Sequence, residues 1–194
     1  YHVRPGFLPW QQPGGIIGGA LTAISPDIDR SSLGVAAMNF SALMPRSAAW
    51  PVFSSIFNPS YPDEMSCPLL LGLAQILWDR GETNGYAHVM TSDRQPDTPQ
   101  HKVLMDVAFS DHVVSNWQSN VMARTIGARA VNPLVYANRW DGVGQSDDFE
   151  LSGCCRNGYE YLRAGRMLCG WINRPLSRES HQETTAIGSA PQLR

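Results

Sequence analysis

Asp111 and His112 stand side by side directly after an apolar run, KVLMDVAF, at residues 102–109. A carboxylate in a strand-end turn can orient a catalytic histidine and stabilise its imidazolium. In α/β sheets the reacting groups gather at the carboxyl ends of strands, which is where a strand over 102–109 would deliver this pair. Direct neighbours rarely make that contact with each other, because their side chains diverge and the partner histidine normally comes from another loop. A plainer role for Asp111 is to cap the helix that follows. Both readings stand on the residues alone.

Few other residues offer chemistry. His88 and His101 could join His112 around a metal, but their spacings match no zinc signature. After the 102–109 strand and its turn, the remaining histidine is His181, in the polar stretch RESHQET with no apolar strand to carry it to a site. Cys67, Cys154, Cys155 and Cys169 contain no C-x-x-C pair and no regular spacing, so neither a zinc site nor a disulfide framework is indicated. No cofactor is implied.

The bulk numbers fit one globular domain. The chain has 194 residues, 43% of them hydrophobic, and a net charge of −2. That composition supports a packed core and argues against wholesale disorder. The near-zero charge gives no footprint for nucleic acid or an anionic membrane. No apolar run approaches the roughly 20 residues of a membrane span, and residues 1–13 lack the pattern of a signal peptide. The first residue is Tyr1 rather than Met, so a processed chain or a fragment is expected. No compartment follows from this.

The elements that would hold the turn alternate. Residues 1–13 carry Pro5, Pro9 and Pro13, which disfavours an interior strand. GIIGGALTAI, at 15–24, has small and apolar residues at helical spacing, with glycines that permit close packing on a sheet. SSLGVAA, at 31–37, reads as a short buried strand. Residues 38–66 hold four prolines and read as irregular loops and short helical turns, either a cap over a site or plain surface. CPLLLGLAQILWDR, at 67–80, predicts a helix with Leu69, Leu73, Ile76 and Leu77 on its core face. Residues 114–126 predict a second helix, capped by Ser115 or Asn116 and stopped by Gly127. Beyond about residue 130 the periodicity fades, save for a short helix near 157–168. Helix, strand, helix, strand, helix predicts an α/β fold.

Several long stretches sharpen this. Gly14 to Asn39, YPDEMSCPLLLGLAQILWDRGETNGYAHVM (61–90), HKVLMDVAFSDHVV (101–114) and ARTIGARA (123–130) resemble, in order, a group of bacterial α/β-hydrolase-fold proteins of the esterase or lipase kind. The likeness covers about 14–140. It implies a mostly parallel sheet flanked by helices. It also implies a small-molecule ester or related acyl substrate, a serine nucleophile, a histidine base and no metal. Asp111 falls where the acid of that fold follows its penultimate strand. His181 is the late-histidine candidate, and the tail over 141–194 does not share the likeness.

The nucleophile turn is where the chain departs from the family. The family-type elbow is Gly-Asn-Ser-Gln-Gly-Gly, and Trp10-Gln11-Gln12-Pro13-Gly14-Gly15 occupies its place. Gln12 stands at the nucleophile position and cannot form an acyl-enzyme. Trp10 stands where the turn needs a small residue, and Pro13 lacks the N–H that would donate to an oxyanion. Codon arithmetic offers a reason. Trp-Gln-Gln-Pro-Gly read from its second base permits Gly-Asn-Ser-Gln-Gly, and the single Trp codon fixes the glycine. Residues 1–13 are then an elbow strand read out of frame, ahead of which the resemblance expects further strands. The expectation is a truncated α/β-hydrolase-like domain, a fragment or degenerate relative without activity. The alternative is a non-catalytic relative that binds a ligand or partner.

Overall fold

The computed structural model describes residues 6–10, 14–132, 143, 145–150 and 159–164, with only the backbone course at 6–10, 132, 145–150 and 159–164. In chain order the elements are β1 (Gly6–Trp10), α1 (Gly14–Ile24), β2 (Ile28–Gly34), α2 (Phe40–Leu43), α3 (Trp50–Ser60), α4 (Ser66–Trp78) and α5 (Ala87–Met90). There follow β3 (Lys102–Ala108), α6 (Asn116–Thr125), β4 (Arg129–Asn132), β5 (Gln145–Glu150) and β6 (Tyr159–Ala164). Short 3-10 turns lie at Met44–Arg46 and Thr83–Gly85.

The strands form one six-stranded sheet in the order β1-β2-β3-β6-β4-β5. β1, β2 and β3 are mutually parallel, as are β4 and β5, and β6 runs against both β3 and β4. Helices flank parallel strands, so the chain is α/β. The β1-α1-β2 unit is a crossover between adjacent parallel strands, the connection that such a sheet requires.

Side-chain alternation decides where the core lies. Ser31 and Leu33 of β2 pair with Val103 and Met105 of β3 and share their face. Leu33, Val103, Met105 and Val107 are buried with Ala23, Ala87, Met90, Met122, Ala123 and Ile126, which come from α1, α5, α6 and the residue after it. Helix α1 lies very close to β2 and to the second 3-10 turn. A Cβ at Gly15 would stand 2.1 Å from the Gly34 carbonyl oxygen, and one at Gly19 would stand 2.1 Å from Thr83 Oγ1. The small residues in GIIGGALTAI permit that contact, as their pattern predicts.

Four expectations need correction. The second strand is Ile28–Gly34, not 31–37, because Val35 takes a left-handed φ of 53° and turns the chain out of the sheet. Residues 38–66 are more regular than expected: α3 runs from Trp50 to Ser60. Its Pro51 sits in the first turn, where a missing N–H has no intrahelical acceptor to lose. The helix expected near 157–168 is the strand β6, whose tyrosines and Leu162 suit a sheet. Helix α4 forms as predicted but is turned the other way. Leu71 and Gln75 are buried, while Leu69, Leu73, Ile76 and Leu77 are 54–71% exposed. Its sequence is uncharged all round, so periodicity located the helix without fixing which face points inward. β1, with Pro9, lies at the sheet edge, where a missing donor costs least.

Candidate functional site

The parallel strands β1, β2 and β3 end at one edge of the sheet. Trp10 pairs with Leu33, and Gly34 pairs with Asp106. The segments leaving these strands are therefore neighbours. Ile16 in the first turn of α1, Ala37 after β2, Leu43 of α2 and Val114 after β3 form a small buried cluster, with Val35 and Phe40 packed against it. The cluster holds the 110–114 turn beside the start of α1.

This edge holds three of the four non-glycine residues with positive φ in the described chain. Val35 (φ 53°), Asn39 (φ 68°) and Ser110 (φ 57°) all adopt positive φ, which is a true outlier for a β-branched valine. The N–H of Val35 donates to the Asp106 carbonyl at 2.7 Å, tying the loop to β3. Asn39 uses its side chain to cap α2, accepting from the Ala42 N–H at 3.0 Å. Beneath it lies Glu82, 1% exposed. Its carboxylate accepts from the N–H groups of Asn39 (3.0 Å), Phe40 (2.9 Å) and Asn84 (3.2 Å) and from Gln75 Nε2 (2.6 Å). The Gln75 oxygen accepts in turn from the Ser41 N–H at 2.8 Å. A buried carboxylate with four donors is a brace for a loop, and it is also what draws one face of α4 inward.

Asp111 is in the predicted place but is engaged locally. Its Oδ1 accepts from the N–H groups of Val113 (2.7 Å) and Val114 (3.0 Å). The neighbouring Asn116 closes the turn, accepting from the Ser110 N–H at 2.8 Å and donating to the Ala108 carbonyl at 2.6 Å. His112 is exposed, and its carbonyl accepts from the Ala48 N–H at 2.6 Å. Among the described residues no hydrogen bond joins Asp111 to a histidine ring. Gln12, His181, Cys154, Cys155 and Cys169 lie outside the described residues.

A buried histidine and a partly buried aspartate complete the picture. His101 is fully buried at the start of β3, with Nδ1 2.6 Å from the Ile28 carbonyl oxygen. Burial lowers its pKa, against smaller opposing effects from the Ile28 and Ala23 carbonyls. Asp106 lies within β3 on the face opposite Met105, and its Oδ1 is buried with no hydrogen-bond partner among the described residues. Burial pushes this carboxyl up to about 6. A carboxylate with a raised pKa opposite Gly34, near the carboxyl ends of β2 and β3, is a candidate proton carrier. The sequence signal for it is the single acid inside an apolar strand, which our reading of the motif passed over in favour of Asp111. His88 is exposed on α5, and the described residues contain no group of three or more His, Cys, Asp or Glu able to hold a metal.

The 38–66 excursion hangs from the same edge. Two residues beyond Ala48, whose N–H meets the His112 carbonyl, Trp50 begins α3 and lines a cavity of about 260 Å³ between α3 and α4. Phe53, Ile56, Phe57, Leu71 and Trp78 line it too. The cavity suits a neutral apolar group and offers nothing to hold a charge. No helix among the described residues is long and apolar enough to cross a membrane. No protein-family model, curated protein or solved structure matches the chain.

Proposed function

We propose that this chain is a degenerate member of the α/β-hydrolase-fold esterases and lipases, and that it is catalytically silent as written. The observation that carries the reading is the arrangement at the carboxyl edge of the sheet. The strand β1 and the helix α1 that follows it in sequence stand beside β2 and β3, with Asp111 shortly after β3. In an active relative a serine in the turn attacks the carbonyl of an ester or acyl substrate, and a histidine takes its proton. The acid after β3 orients that histidine, and water then releases the acyl group. Here Gln12 replaces the nucleophile and Pro13 removes an oxyanion donor, so no acyl-enzyme forms. Asp111 keeps its place and serves the turn, with His112 an exposed neighbour rather than its triad partner.

The apolar cavity between α3 and α4 favours a second reading, in which a relative without catalysis still binds a neutral apolar ligand.

Two measurements test the proposal. The chain should neither turn over a p-nitrophenyl ester nor react with a fluorophosphonate serine probe; turnover that disappears in Asp111→Asn would overturn silence. The variant Trp10→Gly, Gln11→Asn, Gln12→Ser, Pro13→Gln rebuilds the family-type elbow and should acquire probe labelling. A folded rebuilt variant that stays unlabelled removes the hydrolase reading. Resequencing the codons for residues 1–20 decides separately whether Gln12 is the encoded residue.

A further inference from the structure

Helices α3 and α4 meet with matched spacing. Trp50, Phe53 and Phe57 recur on α3 at steps of three and four residues, and Leu71, Ala74 and Trp78 do the same on α4. Such steps put each trio on one helix face. All six line the cavity of about 260 Å³, and no polar atom faces it. The exposed leucines of α4 lie elsewhere on the helix and do not line it. Neither helix carries a charged side chain. Gln75, the polar neighbour of Ala74, is turned away toward Glu82. The small Ala74 leaves space that a longer side chain would occupy. The rings on both walls are held by aromatic neighbours. Trp50 and Phe57 pack with centroids 6.2 Å apart, Phe57 and Tyr61 at 5.1 Å, and Trp78 meets Phe40 edge to face at 5.8 Å. Phe53 and Ile56 are 48% and 74% exposed, so the cavity opens to solvent on their side.

We propose that this cavity is a binding site for a neutral aromatic molecule of about two fused rings. The proposal rests on the ligand-binding reading above and names the ligand class. Volume sets the size: an apolar cavity of ~150 Å³ takes one benzene ring, so one of about 260 Å³ suits two. Chemistry sets the charge: an ion, or an unpaired N–H or hydroxyl, would lose its water here and find no partner. The walls set the shape. Their preset rings meet a flat ligand in the offset and edge-on arrangements that aromatic pairs prefer. A rigid ring also loses little conformational freedom on entry, whereas a flexible chain of equal volume must be ordered.

Equilibrium dialysis of the full chain against naphthalene is the test. The expected result is saturable uptake of about one molecule per chain, with Kd on the order of tens of micromolar. Naphthoate, which adds a charge, should bind at least about tenfold more weakly. Ala74→Phe puts a ring into the space and should weaken naphthalene binding at least about tenfold. Phe53→Ser removes a ring at the exposed rim, where the fold tolerates change, and should weaken it several-fold. Leu73→Glu alters only the outer face of α4 and should leave binding as it is. Circular dichroism identifies any variant that has not folded. Uptake that stays linear in naphthalene, or that Leu73→Glu abolishes, is adsorption to exposed apolar surface and overturns the proposal. Saturable binding indifferent to both Ala74→Phe and Phe53→Ser overturns it too, as does equal affinity for naphthoate. Octanol separates the ring from the wider reading. Saturable octanol binding without naphthalene binding removes the aromatic assignment and keeps a neutral apolar ligand, whereas saturable binding of neither removes both.

Discussion

Asp111 is the residue on which sequence and structure can be weighed most directly. Its position after an apolar strand was legible, because a strand-end turn is a local feature and the strand signal is strong. The destination of its carboxylate was not legible, because the choice between capping a turn and holding a histidine is made in three dimensions. The two bonds from Val113 and Val114 show that it braces the turn ahead of α6 and does not cap the helix itself, whose N-cap is Ser115. Asparagine accepts such bonds as well as aspartate, and alanine accepts none. Asp111→Asn should therefore cost less than about 0.5 kcal/mol, and Asp111→Ala about 1 kcal/mol, in urea unfolding. Equal losses for both variants would show that the charge matters and would revive an ionic partner for Asp111. Glu82 was invisible for the same reason: nothing in WDRGETNG marks a buried brace. Glu82→Ala leaves four donors without their acceptor and should cost about 3 kcal/mol or more. Glu82→Gln keeps one carbonyl oxygen and should cost less. A Glu82→Ala chain as stable as wild type would mean that water replaces the brace.

At the scale of elements, type was easier to read than orientation. The strand over 102–109 and the helices over 15–24, 67–80 and 114–126 all form within a few residues of their expected bounds. Each has apolar residues at a clear period or a strong stop signal. β6 was missed because its Tyr, Glu and Arg mixture has weak periodicity and its partners, β3 and β4, lie far away in sequence. The inward face of α4 was misjudged because leucines surround the helix and the deciding contact, Gln75 to Glu82, is polar. Helix α1 shows the opposite case, in which a local pattern reports a tertiary contact. Its glycines are required where the helix meets backbone. A Cβ at Gly15 would meet the Gly34 carbonyl oxygen at 2.1 Å, and that carbonyl belongs to a paired strand and cannot retreat. Gly15→Ala should therefore destabilise the chain by about 2–3 kcal/mol, despite the better helix propensity of alanine. A melting temperature unchanged by that substitution would show that α1 slides along β2 rather than locking to it.

For the whole molecule, a buried and a partly buried group in β3 and its approach set opposing pH dependences of stability. Burial lowers the pKa of His101, so between that value and 6.5 the unfolded chain holds a proton that the folded chain lacks. Its effect is a stability that is complete above pH 6.5 and declines as pH falls. Asp106 acts in the other direction. Its carboxyl is raised from 3.8 to about 6, so in that window the folded chain holds the extra proton. Stability from this group is greatest below pH 3.8 and falls as pH rises through about 6, by an amount on the order of 2 kcal/mol once partial exposure is allowed for. Asp106→Asn isolates the second effect, because His101 is common to both chains and cancels in the difference. The variant should melt several degrees above wild type at pH 7.5 and at nearly the same temperature at pH 4, with the gap opening between pH 4 and 6. A gap independent of pH would mean that shape, not charge, distinguishes the two side chains. A variant that melts below wild type at pH 7.5 would mean that the Asp106 carboxylate has an ionic partner beyond the described residues, and burial would no longer be the dominant influence on it.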